Sequence, residues 1–139
     1  MIVPDLSDKH EVKLKDATFS VRQISTKTYR SLVSRLSFLR EMSNKVTKES
    51  FENLKAQDPQ KYEDVNERLH EVFRDFIKQG VVGHAGITKK DNTEFPFTPD
   101  EKGLVPDEIL DVYDRLHITY VLASEVIALN TVTGEDLKN

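Results

Sequence analysis

The chain has 139 residues, enough for one domain, and its 37% hydrophobic and 32% charged residues indicate a folded protein with a single core. It contains no cysteine, which excludes disulfide bonds, thiol catalysis and thiolate-bound metal ions and fits a reducing cytosol. The net charge is −4, but residues 1–80 carry 15 basic against 13 acidic side chains, whereas residues 81–139 carry 5 against 11. This asymmetry favours pairing between the two halves, either within one chain or head to tail between copies.

The first 24 residues predict an arm and a β-hairpin. Residues 1–9 are expected to be a flexible arm without the basic and apolar regions of a signal peptide. His10–Lys15 and Thr18–Ile24 alternate polar and apolar residues around Asp16-Ala17, which predicts a hairpin over residues 10–24. Because an isolated hairpin is barely stable, we expect it to lie on the following helices. Its apolar face would consist of Val12, Leu14, Phe19, Val21 and Ile24.

Helices are predicted for the middle of the chain. After a cap at Ser25-Thr26, apolar residues spaced by three and four predict an amphipathic helix over residues 27–46. Thr47 is suited to cap a second, short helix. Asp58-Pro59 begins a third helix, with Asp as cap and Pro at the first helical position, and this helix ends at Gly80. Its apolar stripe is made of Tyr62, Val65, Leu69, Val72 and Phe76.

The second half of the chain predicts loops and a last helical region. Residues 81–87 form a glycine-punctuated apolar turn, and residues 88–94 a polar surface loop. Thr98-Pro99-Asp100-Glu101 has the signature of a capping box. Pro106-Asp107-Glu108 opens a helix that either continues or bends before a frayed tail at residues 130–139. No apolar run approaches the ~20 residues of a membrane helix.

Together these elements predict a mainly α fold of the α+β class. An N-terminal β-hairpin packs on a small bundle of three to five helices. The globular domain covers residues 10–129, with the hairpin over residues 10–24 and the helical part over residues 27–129.

No motif in the chain predicts catalysis, a metal site or a cofactor. His10-Glu11 and His70-Glu71 begin like a zinc-protease motif, but Leu14 and Arg74 stand where the second histidine is required. The glycines at 80, 83 and 86 lack the spacing of a phosphate-binding loop. No serine lies in a G-x-S-x-G sequence. We therefore expect a non-enzymatic protein without metal ions or cofactors.

Three groups of residues are candidates for partner binding. Phe95, Pro96 and Phe97 form an aromatic segment enclosed by prolines, which either fills the helix pair or docks on a partner protein. Three aspartates of the last helical region share one face, which is either solvated or directed at a partner. Basic residues make the first long helix cationic, but their five-residue spacing spreads them around it, and nucleic acid binding is disfavoured. The three aspartates are Asp107, Asp111 and Asp114. The basic candidates are Arg30 and Arg35.

The order of these segments resembles a known family. The segments are the N-terminal hairpin, Val21–Arg30, Val81–Ile87, Phe95–Pro99, Leu104–Leu110 and the closing Thr133–Leu137. Over residues 10–139 this layout is similar to small tail-region proteins of long-tailed bacteriophages, especially tail assembly chaperones.

The resemblance implies a late protein that acts in the host cytoplasm during virion morphogenesis. Such proteins coat the tape-measure protein and recruit tail-tube subunits, and they have no catalytic residues. Self-association through the oppositely charged helices is compatible with that role. Two other classes remain open: a structural virion component, such as a head–tail connector or tail-completion subunit, and a small regulatory protein that binds host protein or DNA.

Overall fold

A computed structural model describes residues 9–41 and 48–138. Within these ranges the chain forms a three-stranded antiparallel sheet and five α-helices, and the predicted α+β class with a hairpin packed on helices is confirmed. The predicted arm lies outside the described residues except for Lys9. The elements are β1 (Lys9–Leu14), β2 (Ala17–Arg22), α1 (Thr26–Ser34), a 3₁₀ helix (Ser37–Glu41), α2 (Lys48–Gln57), α3 (Pro59–Gly80), β3 (Val81–Ala85), α4 (Asp107–Arg115) and α5 (Thr119–Lys138).

The hairpin is formed as predicted, but its turn lies one residue earlier. Leu14 pairs with Ala17, so the two-residue turn is Lys15-Asp16 rather than Asp16-Ala17. Lys15 has a φ of 55°, in the left-handed region that primed hairpin turns require. The predicted apolar face is confirmed, since Phe19 and Val21 are fully buried and the face meets the helices.

The prediction of a glycine-punctuated turn is wrong over Val81–Ala85, because these residues form the third strand. β3 pairs antiparallel with β2, so that β2 is the central strand of the sheet. Gly83 concealed this strand, because glycine is uncommon in strand interiors. It lies opposite Ser20, and an added Cβ would meet that side chain at 3.7 Å, an ordinary contact, so this position does not require glycine.

The long helix predicted over residues 27–46 is also wrong in its extent. α1 ends at Ser34, and the chain tightens into the 3₁₀ helix that begins at Ser37. The tighter turn buries Phe38, which lies off the predicted apolar stripe and has Arg68 of α3 over its ring at 4.3 Å. The remainder of the predicted helix, from residue 42 to residue 46, lies outside the described residues, as does the proposed cap Thr47.

α3 is the longest helix, and its predicted start and end are confirmed. The Asp58 carboxylate accepts a hydrogen bond from the backbone N–H of Lys61 at 3.1 Å, and Pro59 occupies the first turn. α3 packs lengthwise against α5. Gly80 permits their close approach, since a Cβ at this position would collide with Cγ1 of Val126.

The predicted capping box at residues 98–101 is a turn rather than the start of a helix. The Asp100 carboxylate accepts hydrogen bonds from the backbone N–H groups of Lys102 and Leu104, both at 2.9 Å. The helix predicted at Asp107 follows as α4, and the chain then bends instead of continuing. His117, with a φ of 58°, separates α4 from α5.

The core lies between the sheet and the pair formed by α3 and α5, with α4 covering one end. Its largest fully buried side chains come from all of these elements. They include Phe19, Phe76, Ile77, Leu110, Tyr113 and Leu122.

Candidate partner-binding site

The proline-rich segment after β3 is anchored to the core by His84. Nε2 of His84 lies 2.8 Å from the carbonyl oxygen of Phe95, and Nδ1 lies 2.6 Å from the hydroxyl of Tyr113. A carbonyl oxygen can only accept, so Nε2 carries the hydrogen, and in the neutral ring Nδ1 accepts from Tyr113. One imidazole therefore joins β3, the loop and α4.

Aromatic rings surround this imidazole. Phe95 stacks on His84 with ring centroids 5.6 Å apart, and Phe97 meets it edge-on at 5.4 Å. Phe19 of β2 contacts the ring of Tyr113 at 5.5 Å. Both phenylalanines of the loop are thus half-buried against the protein itself, on His84 of β3 rather than within a pair of helices.

Burial keeps both polar groups of this cluster neutral. It lowers the pKa of His84 below its ordinary value, although the hydrogen bond to Phe95 and the charge of Glu94 oppose the shift. Burial also raises the pKa of the Tyr113 hydroxyl far above its usual range. The cluster is a neutral clasp in which both ring nitrogens of His84 have partners.

A half-open groove of about 580 Å³ remains on the outer side of the loop, between the loop and α4. Its walls are mostly apolar, and three of its residues are prolines. We call it the proline groove. It is lined by Phe95, Pro96, Thr98, Pro99, Asp100, Pro106, Glu108, Ile109 and Val112.

The only charged residues among those that line the proline groove are acidic. Asp100 uses its carboxylate to hold the turn at Lys102 and Leu104. Glu108 is exposed on the first turn of α4. No lysine or arginine is among the lining residues, so the groove presents apolar walls with a negative edge.

The three candidate aspartates lie on another side of α4 and meet Arg74 of α3. The Arg74 guanidinium is 2.8 Å from Asp111 and 3.8 Å from Asp107, and it also bonds Asp114. Asp114 is the most enclosed of the three, with 24% of its side chain exposed against 82% for Asp107. We call this group the aspartate cluster.

Asp114 has two further donors. His70 Nε2 lies 2.8 Å from the same carboxylate, and the hydroxyl of buried Thr119 donates to it. Burial by itself would raise the pKa of Asp114, but the hydrogen bonds from Thr119, His70 and Arg74 outweigh it, and the pKa lies below its ordinary value. Burial by itself would lower the pKa of Arg74, but the hydrogen bonds to Asp111 and Asp114 outweigh burial and raise the pKa.

Of the two candidate arginines, Arg35 follows the last residue of α1 and contacts α3. Arg35 pairs with Asp75 of α3, and both groups are about 40% exposed. Arg30 is exposed on α1. Arg35 and Asp107 line one shallow hollow of about 220 Å³, so the basic and acidic candidates approach each other across α3. Among the described ion pairs, none joins α1 directly to α4.

A second concavity lies at the turn of the hairpin and is smaller, about 240 Å³. Its lining includes Lys15, Asp16 and Gly86, so that it carries both signs of charge. Gly86 has a φ of 88°, and a Cβ there would strike the carbonyl oxygen of Asp16. The glycine therefore serves the close contact between β3 and the hairpin turn.

Two residues central to these clusters were missed by sequence reasoning. His84 carried no recognisable motif, and only its place in a strand beside β2 directs it at Tyr113 and Phe95. The Val81-Val82 pair, two β-branched residues, is the signal that favours this strand. Arg74 was noted only as an obstacle to a zinc motif, although it lies on the same helix face as His70.

Neither a metal-ligand group nor a membrane-spanning helix is found in the part of the chain that the structure describes. No group of three or more potential ligands is arranged to hold a metal ion. No described helix combines the length and the apolar character needed to cross a membrane.

Comparison of the chain with protein-family models, with curated proteins and with solved structures finds no match.

Proposed function

We propose that this protein is a non-enzymatic tail assembly chaperone of a long-tailed bacteriophage. It acts in the host cytoplasm and binds the tape-measure protein, tail-tube subunits or both during tail morphogenesis. The order of segments described above supports the family. The proline groove supports a protein-binding role, and it is the observation that carries the proposal.

The groove is suited to a protein partner for a physical reason. Its apolar walls are formed by a loop whose inner side is already fixed by the His84 clasp. A surface held rigidly before binding loses little conformational entropy when a partner docks. The contacts of His84 therefore hold a short proline-rich loop in one position.

Mass spectrometry of purified virions beside a lysate of infected cells tests this proposal. A chaperone is expected in the lysate, bound to tape-measure or tail-tube protein, and absent from finished particles. A stoichiometric amount in finished particles would contradict it and favour a connector or tail-completion subunit. Salt-sensitive retention on DNA, without any tail protein bound, would favour the regulatory alternative.

A further inference from the structure

The main chain of the loop beside the proline groove offers no continuous row of free N–H donors to a partner. Pro96, Pro99 and Pro106 carry no N–H group. The N–H of Phe95 donates to Ile87 at 2.7 Å, and the carbonyl of Phe95 accepts from His84. A partner that adds a strand needs a row of free donors and acceptors along an edge, and this loop does not supply one.

A partner segment that satisfies its own backbone hydrogen bonds, as an α-helix does, therefore fits this groove better than an added strand. α4 is nine residues long, about 13 Å at helical rise, which matches about two to three turns of a partner helix, and Glu108, Ile109 and Val112 of α4 line the groove. The apolar lining formed by exposed Pro96 and Pro99 and half-buried Val112 is suited to side chains spaced by three and four on such a helix.

The acidic charge around the groove favours a partner segment of positive charge. Asp100 and Glu108 line it, and Glu94 and Glu101 are exposed beside it in sequence. Lys102 is the one basic residue between Glu94 and Glu108. Carboxylates at the edge of an apolar groove attract a partner with lysine or arginine beside its apolar stripe and repel an acidic one.

We infer that the proline groove binds a cationic amphipathic helix of the partner protein, about two to three turns long, with its apolar face on the loop and α4. This inference rests on the proposed function only in that the helix belongs to a tail protein. The chemistry of the groove requires no particular source for it.

A panel of synthetic peptides on the purified protein tests the inference. The first is an amphipathic helical peptide with a lysine-rich polar face. The second has the same apolar positions with glutamate replacing lysine, the third is a scrambled lysine peptide, and the fourth is a proline-rich extended peptide. We expect the first peptide to bind most tightly, by at least about tenfold over the glutamate peptide. Amide chemical-shift changes should concentrate in residues 94–112.

Three variants locate the site. Glu108→Lys is expected to weaken the lysine peptide about three- to tenfold, since an edge attraction becomes a repulsion. Val112→Ser should weaken it through lost apolar contact. Glu125→Lys makes the same charge change on exposed α5, outside the groove, and should leave binding within about twofold. Melting curves of all three show that each variant is folded.

Four results would overturn the inference: equal binding of the lysine and glutamate peptides, preference for the scrambled or the proline-rich peptide, no binding at all, or equal effects of Glu108→Lys and Glu125→Lys. The two proposals fail separately. Lysine-peptide binding in the groove with no tail partner in infected cells would contradict the proposed function alone. A tail partner that binds through an acidic or extended segment would contradict this inference alone.

Discussion

α4 is fastened to the rest of the protein by two attachments of opposite character. Towards α3 it presents the aspartate cluster, in which three carboxylates share the guanidinium of Arg74. Towards the sheet it presents Tyr113, which is fully buried and bonds the neutral imidazole of His84. One attachment is charged and partly exposed to solvent, and the other is uncharged and enclosed by aromatic rings.

The difference shows that acidic residues on one short helix can have unrelated tasks. Asp114 has three donors and belongs to the structure of the helix pair. Glu108 is exposed at the proline groove and has no hydrogen bond or ion pair among the described residues. The spacing predicted that three aspartates share one face, and all three pair with Arg74, but only Asp114 is enclosed, whereas Asp107 and Asp111 stay 82% and 62% exposed.

Removing Arg74 is expected to have the largest effect on the charged attachment. Arg74→Met should lower the free energy of unfolding by about 2 to 3 kcal/mol, mostly because Asp114 keeps its burial and loses its strongest cationic partner. Urea unfolding followed by circular dichroism measures this. Arg115→Met, an exposed arginine on α4, is the matched control and should change stability by less than about 0.5 kcal/mol. Equal losses in the two variants would show that the aspartate cluster contributes nothing specific.

The neutral attachment is tested by Tyr113→Phe, with a smaller expected effect. The ring and its contact with Phe19 remain, while Nδ1 of His84 loses its donor. We expect a loss of about 1 to 2 kcal/mol, the cost of leaving a half-buried acceptor without a partner. The matched control is Tyr62→Phe on α3, which is expected to be nearly neutral. A neutral result at Tyr113 would mean that the rings alone hold the clasp.

The pH dependence of unfolding separates the two attachments, with the smallest effect of the three. The pKa of His84 in the fold lies below its ordinary 6.5, so the unfolded chain takes up the proton first on acidification. The contribution of His84 is therefore complete above pH 6.5 and falls as the pH drops towards the lower folded value. The pKa of Asp114 lies below its ordinary 3.8, so its contribution is lost only on further acidification below that value.

Two variants assign these two pH windows. His84→Gln should flatten the stability profile just below pH 6.5, and Asp114→Asn should flatten it below pH 3.8. An NMR titration of the His84 ring should give a midpoint below 6.5. A midpoint at or above that value, or an unchanged slope in the His84 variant, would contradict the neutral clasp.

Periodic segments of the fold were predictable, and segments fixed by distant contacts were not. The cap at Asp58-Pro59 and the stripe ending at Phe76 predicted α3, because capping and 3.6-residue spacing are local signals. The same reasoning predicted a helix that extends beyond Ser34, where α1 ends, because no local signal shows that Phe38 is buried under Arg68. β3 was missed because its pairing with β2 outweighs the low strand preference of glycine.

Of the residues predicted for partner binding, Phe95 and Pro96 line the proline groove, and the arrangement of the groove was not predicted. Phe95, Pro96 and Phe97 are unusual in composition, so they were visible in the sequence. That both rings face His84 inside, and that the open side is shared with Val112, depends on how β3 and α4 are placed. Partners separated by 11 to 29 residues leave no periodic signal.

The central position of β2 has a consequence for the order in which the protein is made. Phe19 faces its partner His84 across the sheet, and 65 residues of chain separate them. During synthesis the hairpin leaves the ribosome before the strand and helices that cover Phe19 and Val21. Closing so long a loop is entropically costly, and an isolated hairpin is marginal. We therefore expect the apolar face of the hairpin to stay exposed in the nascent chain until these covering elements have emerged.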